Sequence, residues 1–267
     1  MELVENNRKS SLIFSNFILK IIAIITMTLD HVGQAISIFY PYQLTQGLEI
    51  IILILRIVGR IALPLFCFMI AEGMEHTSNS KKYMLRLGIL ALLISIFLLA
   101  CYYIPNNNIH NFSKLGNIFI DLLLGALSIY LLKQERILPK LLLIPILLFA
   151  FGSSAVKSYE VNTGGIAYFF PDYIRMQYDW YSLILIIGFY LIKYIARWLI
   201  DIYSETYNLK KELFLGNNIE RFLKNILSIL FLVIITICVW LFYKYNPKFD
   251  YINSAIQSYA IMSGALI

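Results

Sequence analysis

The chain has 267 residues, of which 60% are hydrophobic and only 14% are charged, and its formal net charge at pH 7 is +6. A soluble domain carries about 25% charged residues, so this composition excludes an ordinary soluble protein. The alternating pattern typical of membrane β-barrel strands is absent. Because each helical span needs about 20 apolar residues, we expect an all-α integral membrane protein, a polytopic bundle of about seven or eight transmembrane helices.

Apolar runs divide the chain, which we treat as one transmembrane domain (1–267), into spans and polar connections. A polar N-terminal segment, 1–16, comes first. The predicted spans cover approximately residues 17–40, 48–73, 85–104, 115–132, 141–151, 179–199 and 225–243. The span 141–151 is short, and we expect Pro145 to interrupt it. The connection that follows it, 152–178, is the longest in the chain.

Two further stretches do not form complete spans. Residues 200–224 mix both charge signs with apolar residues at helical spacing, which predicts an amphipathic helix in the membrane interface. The apolar run 254–267 is too short to cross a membrane, so we expect an incomplete final span there.

The distribution of Lys and Arg predicts the orientation of the bundle. With the N-terminus in the cytoplasm, fifteen of the 22 Lys and Arg residues lie on the inner side and five on the outer side, and Arg56 and Arg60 lie within the membrane. Cytoplasmic loops carry the excess of these residues. We therefore predict a multi-pass protein of the cytoplasmic membrane, with membrane lipid as a partner. The bias also accounts for the basic charge without a nucleic acid partner.

Asp30 and His31 lie well inside the first predicted span. A charged side chain at mid-bilayer costs about 2.5 to 3.5 kcal/mol, so ionisable residues in spans usually face the bundle interior and have a function. Histidine exchanges a proton near neutral pH, and an adjacent carboxylate can fix its tautomer or stabilise its charged form. We predict that His31 is a general base with Asp30 beside it. The alternative is a buried histidine that only joins helices through hydrogen bonds.

Arg56 and Arg60 lie four residues apart in the second predicted span, on one helix face and at about the depth of His31. Their guanidinium groups can neutralise Asp30 and Glu72 or hold phosphate and carboxylate groups of a substrate. A structural ion-pair network and a catalytic role both remain open. Pro64, one turn later, predicts a kink in this span.

Glu72 lies at the end of the second span, at its predicted cytoplasmic mouth, and Lys81, Lys82 and Arg86 follow it. A basic mouth can receive an anionic soluble donor such as coenzyme A, whose phosphates would bind these cations. The alternative is the ordinary contact of basic residues with anionic lipid.

The fourth predicted span carries Asn117 and Asp121, which are four residues apart and can complete the polar site from the opposite wall. Other chemical signals are missing from the sequence. It contains no G-x-S-x-G elbow and no phosphate-binding P-loop. Cys67, Cys101 and Cys238 are scattered, which predicts neither a metal site nor a disulfide framework.

Three segments resemble the TraX family of bacterial membrane proteins. They read LKIIAIITMTLDHVG, LRIVGRIALPLFCFMIAEGMEHTSNSKKYMLRL and GNIFIDLLLGALSIYLL, and the resemblance is strong over residues 19–132. The positions that carry it are Asp30, His31, Arg56, Arg60, Pro64, Glu72, Gly73 and Asn117. Asp121 departs from the family pattern, in which an uncharged residue is more usual.

The TraX family is associated with N-terminal acetylation of conjugative pilin, and it is grouped with the multi-span membrane acyltransferases. The resemblance therefore implies an N-acyltransferase with acetyl-CoA as acyl donor and a peptide or pilin-like amine as acceptor. The catalytic residues would then be Asp30, His31, Arg56 and Arg60, with His31 as the general base or, briefly, the carrier of the acyl group. The donor would be bound by Glu72, Lys81, Lys82, Arg86 and Asn117. The family pattern also implies a further C-terminal span, which agrees with the incomplete run 254–267.

Two other classes of function stay open for the same buried charges. In a proton-coupled transporter, the Asp, His and Arg side chains relay protons. Transport then depends on a pH gradient and is indifferent to acyl-CoA. In a non-catalytic membrane assembly protein the charges are structural, and His31→Ala lowers stability rather than activity.

Overall fold

The computed structural model describes residues 16–40, 45–104, 116–165, 167, 169–216, 218–247 and 254–267. Most of the predicted N-terminal segment 1–16 therefore lies outside the described residues. The helices longer than four residues are α1 (Asn16–Phe39), α2 (Gln46–Gly59), α3 (Ala62–His76), α4 (Ser80–Tyr103), α5 (Ile118–Leu132), α6 (Leu143–Thr163), α7 (Asp179–Thr206) and α8 (Asn218–Tyr245). Helical turns lie at Ile137–Lys140 and Ser254–Gln257, and 3-10 segments at Asp172–Ile174, Lys211–Leu213 and Ser258–Ala265.

Six helical stretches in the described part of the chain are long and apolar enough to cross a membrane. They are Phe17–Phe39, Gln46–His76, Ser80–Tyr103, Ile137–Thr163, Asp179–Thr206 and Asn218–Tyr245. The 15 residues of α5 form a shorter apolar helix. The all-α polytopic fold is therefore confirmed, and the cytoplasmic N-terminus stays a prediction.

Helix ends follow the local sequence. The side chains of Thr45, Asn79 and Asn117 each accept a hydrogen bond from a backbone N–H in the first turn of α2, α4 and α5. Such N-caps satisfy donors that have no partner inside the helix. Gly164, with φ +67°, ends α6 in the left-handed conformation that favours glycine.

The fifth predicted span is interrupted beside Pro145, as expected, by a turn at Leu141 and Leu142, but its predicted bounds are wrong. The helix α6 begins at Leu143, so Pro145 lies in the first turn, where its missing N–H removes no intrahelical bond. The helix continues to Thr163, well past residue 151. Twelve residues that we assigned to the polar connection 152–178 are therefore helical, because the short polar run SSAVKSYEVNT continues the last turns of the span.

The prediction of one interfacial helix over 200–224 is also wrong. Its beginning belongs to α7, which ends at Thr206, and its end belongs to α8, which begins at Asn218. Between them Asn208 has φ +54°, a left-handed conformation that stops a helix and that asparagine tolerates. The apolar spacing in this stretch thus belongs to the ends of two separate spans.

The second predicted span is broken as the proline suggested. Arg60 and Ile61 form a turn between α2 and α3. Pro64 has no N–H to donate to the carbonyl four residues back, which is that of Arg60, and its ring clashes with that carbonyl in a regular helix. The break therefore falls beside an arginine of the predicted site.

The bundle is built around α7, which contacts α3, α5, α6 and α8. These contacts bury an apolar core whose fully buried members include Cys67, Met74, Ala126, Tyr181 and Leu185. The helix α1 packs on α2 and α3, and the 3-10 segment Ser258–Ala265 packs on α8 and α3. The run 254–267 is thus folded against the bundle rather than along a span of its own.

Glycines allow α1 and α2 to approach closely beside Asp30. A Cβ atom added at Gly59 would lie 2.8 Å from the Cα of Asp30, and one added at Gly33 would lie 3.1 Å from the Cβ of Leu55. Small residues at such crossings let helix backbones meet inside a membrane. The position of Asp30 against the second span therefore depends on Gly59 having no side chain.

We expect Gly59→Ala to lower the free energy of unfolding by about 1 to 3 kcal/mol, because the added methyl group forces α1 and α2 apart. The matched control is Gly152→Ala in α6, where nothing lies within 4 Å of the added Cβ. There the change should raise stability by about 0.5 to 1 kcal/mol, as alanine does in an open helix position. Unfolding in mixed micelles measures both, and equal effects would contradict the close crossing.

Candidate functional site

Asp30 is held between two arginines from the second span. Its Oδ1 lies 3.9 Å from Nε of Arg56 and 4.0 Å from Nη2 of Arg60. Asp30 is 5% exposed and Arg60 4% exposed. These distances are ion pairs without hydrogen bonds, so the charges attract one another while their polar atoms remain available.

Tyr178 extends this cluster from the segment before α7. Its hydroxyl oxygen accepts a 3.0 Å hydrogen bond from Nη1 of Arg60. Burial raises the pKa of Tyr178, and the nearby Arg60 opposes that rise. The phenol is therefore neutral at physiological pH and keeps its proton.

A small cavity lies beside the cluster. Its lining includes Asp30, His31, Gly59, Gln177 and Tyr178. Its volume, counted as the space open to the centre of a water molecule, is about 20 Å³. A volume of that size is enough for a water molecule when polar partners surround it. Apolar side chains line the rest of it, among them Met27, Leu63, Phe66 and Ile118. The cavity is thus a site of mixed polarity inside the bundle, next to the start of α7.

Several polar atoms at this site are buried without a hydrogen-bond partner among the described residues. They are Oδ1 of Asp30, Nδ1 of His31, Nε of Arg56 and Nε of Arg60. Buried polar groups are normally paired, so a group of unpaired ones calls for an explanation such as water, a ligand or a catalytic role. Two guanidinium groups also face one carboxylate, which leaves positive charge for an anion or a polarised carbonyl oxygen.

Asp121 anchors the segment that carries Tyr178. Its carboxylate accepts hydrogen bonds from the backbone N–H groups of Gln177 (2.6 Å) and Tyr178 (2.9 Å) and from the hydroxyl of Ser182 (2.6 Å). Asp121 is fully buried. A buried carboxylate with three donors orients its neighbours rigidly, and this accounts for the residue that departs from the family pattern.

Lys157 holds the same segment from α6. Its ammonium group donates to the backbone carbonyls of Met176 and Gln177 and pairs with the carboxylate of Asp179 at 3.0 Å. Asp179 has φ +53°, in the left-handed region that a residue other than glycine rarely adopts. Such an outlier persists only where its surroundings hold it, as the buried charges do here.

Asn117, which we predicted to bind the donor, is engaged in the fold. Its side-chain amide donates to the carbonyl of Ala91 (2.7 Å) and to the hydroxyl of Ser95 (2.9 Å) in α4. Its side-chain oxygen caps α5 by accepting from the N–H of Phe119. Asn117 therefore lies next to the cavity residue Ile118, but its polar atoms join α4 to α5.

The other residues predicted to bind the donor lie away from the Asp30 cluster. Glu72 is ten residues beyond the start of α3, or about 15 Å along the helix. Its carboxylate pairs with Lys224 at 3.1 Å and with His76 at 3.2 Å. The basic residues at the start of α4 are exposed: Lys81, Lys82 and Arg86. The structure thus brings the predicted catalytic residues together. Of the residues predicted to bind acetyl-CoA, Glu72, Lys81, Lys82 and Arg86 lie at the far end of α3.

Sequence reasoning missed Gln177, Tyr178 and Lys157. We assigned all three to the long polar connection, although Lys157 is in α6. A signal was present in the run MQYDW, since a polar tyrosine-aspartate pair directly precedes an apolar span. Nothing in the sequence indicates that Tyr178 of this pair meets Arg60, which is 118 residues away from it.

Comparison with known proteins yields a family and two relatives. A family model described as TraX protein matches residues 15–206. The chain is 35% identical over 141 residues to a protein named "Probable fimbrial assembly protein FimC, serogroup H1" from Dichelobacter nodosus, covering 51% of this chain and 54% of the relative. It is also 34% identical over 111 residues to an uncharacterized protein of Rickettsia prowazekii (strain Madrid E), covering 36% of this chain and 39% of that protein.

The two relatives and the family model match different shares of the chain. The chain spans about half the length of the first relative and less of the second. No solved structure matches the chain. The family match, by contrast, runs from α1 to the end of α7 and includes Asp30, His31, Arg60, Asp121 and Tyr178.

Proposed function

Because this chain belongs to the TraX family, we propose that it is a membrane-bound acyltransferase. In this proposal it transfers the acetyl group of acetyl-CoA to the amine of a peptide or pilin-like substrate. One observation carries the proposal: His31 lines a cavity inside the bundle, and Arg56 and Arg60, which also have unpaired polar atoms, flank Asp30 beside it. Acyl transfer to an amine needs a proton acceptor and positive groups near the carbonyl oxygen, and this site contains both.

In this mechanism His31 acts as the general base. It lines the cavity, and its buried Nδ1 has no hydrogen-bond partner in the described part of the chain. A ring nitrogen of His31 takes a proton from the attacking amine, and Asp30, the preceding residue, stabilises the charge that His31 gains. Positioned acid–base groups of this kind contribute about 10² to 10⁴ in rate.

Arg56 and Arg60 would stabilise the negative charge that develops on the acyl oxygen. Both contact the carboxylate of Asp30, and each has an Nε without a hydrogen-bond partner among the described residues. In a dry site such cations stabilise an oxyanion far more strongly than in water. The ion pairs with Asp30 hold the guanidinium groups in place before the substrate binds.

The donor would enter from the basic end of the bundle. In the proposal Lys81, Lys82 and Arg86 bind the phosphates of acetyl-CoA, as exposed cations can. Glu72 and Asn117 would then act indirectly, because their side chains are held by Lys224 and by α4. The flexible pantetheine arm would extend along α3 to carry the thioester to His31.

The acceptor is inferred from the relative's name and the family. A protein of Dichelobacter nodosus that is 35% identical over 141 residues is named as a probable fimbrial assembly protein. Fimbriae are built from pilin subunits, whose amino termini offer an amine of the required kind. We therefore propose that this chain acts in pilus or fimbrial assembly by acetylating a pilin-like amine.

We expect purified wild-type protein in nanodiscs to transfer radiolabelled acetyl from acetyl-CoA to a pilin-like peptide with a free amino terminus. The same peptide with its amino terminus already acetylated, and with its lysines replaced, is the control and should remain unlabelled. Arg56→Ala should raise the Kd for acetyl-CoA, measured by calorimetry, if Arg56 contacts the donor.

The opposite outcome would favour the other function classes. Protein that is folded but neither binds acetyl-CoA nor labels any peptide would contradict the proposal. Flux across proteoliposomes that depends on a pH gradient would then indicate a proton-coupled transporter. Absence of both activities would indicate an assembly protein whose buried charges are structural.

A further inference from the structure

Tyr178 lines the cavity together with His31 and Asp30. A phenolic hydroxyl has one donor proton and acceptor lone pairs. In the hydrogen bond from Arg60, the hydroxyl oxygen of Tyr178 is the acceptor. The hydroxyl proton of Tyr178 can therefore be donated to another group. Within the described ranges the structure gives no acceptor for that proton. The hydroxyl of Tyr178 is thus a buried donor beside the cavity, without an acceptor for its proton in the described part of the chain.

We propose that Tyr178 is a catalytic residue that donates a hydrogen bond to the carbonyl oxygen of the acyl group when that oxygen occupies this water-sized cavity. The inference deepens the proposed function and rests on it for its chemistry. Arg60 strengthens the donor, because a cation bound to the phenol oxygen draws electron density from its O–H bond. Tyr178 and Arg60 would then stabilise the same oxygen from one side of the site.

Transfer of the acetyl group to the amine then takes place in two stages. The amine nitrogen forms a bond to the acyl carbon, and the electron pair of the C=O bond moves to the oxygen, which accepts the hydrogen bond of Tyr178. His31 takes the proton that the nitrogen loses. When the C=O bond forms again, the C–S bond breaks, and the leaving thiolate of coenzyme A takes the proton from His31. Tyr178 keeps its own proton throughout.

Asp121 is the positioning residue for this donor. Its carboxylate accepts from the backbone N–H of Tyr178 and from the N–H of Gln177, while Lys157 binds the carbonyl of Gln177 on the other side. The backbone around Tyr178 is therefore held by a buried carboxylate and an ammonium group. Donors fixed before the reaction avoid the cost of reorganisation during it.

The test is Tyr178→Phe, which removes the hydroxyl and keeps the ring. We expect kcat for acetyl transfer to fall about 100-fold with little change in the KM for acetyl-CoA, the usual result of removing one oxyanion donor. The matched control is Tyr181→Phe, in the first turn of α7 and fully buried, whose hydroxyl faces Thr236 and Gln257 and which does not line the cavity. Its kcat should stay within about twofold of wild type.

Asp121→Asn is the second variant, in case Tyr178→Phe does not fold. It should lower kcat while leaving the Kd for acetyl-CoA unchanged, whereas general destabilisation would reduce the active fraction and leave kcat per active site intact. An active wild type with an equally active Tyr178→Phe variant would overturn this inference and leave the proposed function standing. A folded wild type without transferase activity would overturn both.

Discussion

Acetyl transfer should be lost almost completely in His31→Ala, with a decrease in kcat of about 10³-fold. The reason is that removal of a general base forfeits the whole of its contribution to the rate, about 10² to 10⁴. His31 reaches the cavity from α1, and its Nδ1 has no hydrogen-bond partner in the described structure, so the truncation removes no hydrogen bond of that atom. Membrane insertion and the elution volume in detergent should remain those of wild type.

The control for this experiment is His76→Ala. His76 lies at the end of α3, its side chain is 70% exposed, and its contact is with Glu72 in the preceding turn. Because it is about 20 Å along the helix from the start of α3, its loss should change kcat less than twofold. Equal activity of a folded His31→Ala variant and wild type would exclude the general-base role and favour a structural histidine.

Asp121→Ala should lower the free energy of unfolding by at least about 3 kcal/mol. The carboxylate is fully buried and accepts from two backbone N–H groups and one hydroxyl. Each donor left without its acceptor costs about 1 kcal/mol or more, even within a membrane bundle. The loss should appear in equilibrium unfolding by SDS in mixed micelles, together with a lower thermal midpoint.

Asp201→Ala is the matched control at the other end of α7. Its carboxylate pairs with Lys211 at 3.1 Å, but both side chains are more than 40% exposed. Exposed ion pairs contribute between about 0 and 1 kcal/mol, so this change should be small. If the two variants were equally stable, the carboxylate of Asp121 would not be holding the start of α7.

The candidate catalytic group could be predicted from the sequence because its members occur in two neighbouring spans. Asp30 is in the first span, and Arg56 and Arg60 share a face of the second. A short connection brings consecutive spans side by side, and buried charges of opposite sign attract, so their meeting needs no long-range information. The kink at Pro64 was predictable for the same reason, since the proline acts on its own helix.

Asn117 and Asp121 illustrate the limit of that reasoning. Their four-residue spacing correctly places them in one helix region, and both were expected to face the site. The structure instead has Asn117 capping α5 and binding α4, while Asp121 binds the start of α7. Spacing predicts that two residues share a face, but the neighbouring helix on that face depends on how the bundle is arranged.

The amino-acid sequence alone is enough to identify a helical membrane protein of the TraX family with ionisable residues in its first two spans. Span length and charge density are local properties, since each span must satisfy its own backbone in the bilayer. Three findings required the tertiary structure. Tyr178 binds Arg60, and Asp121 and Lys157 hold the segment that carries Tyr178. The basic residues at the start of α4 lie apart from the Asp30 cluster. These contacts join residues far apart in sequence, and they arise because the packing of α7 against α3 and α5 brings Gln177 and Tyr178 to the cavity.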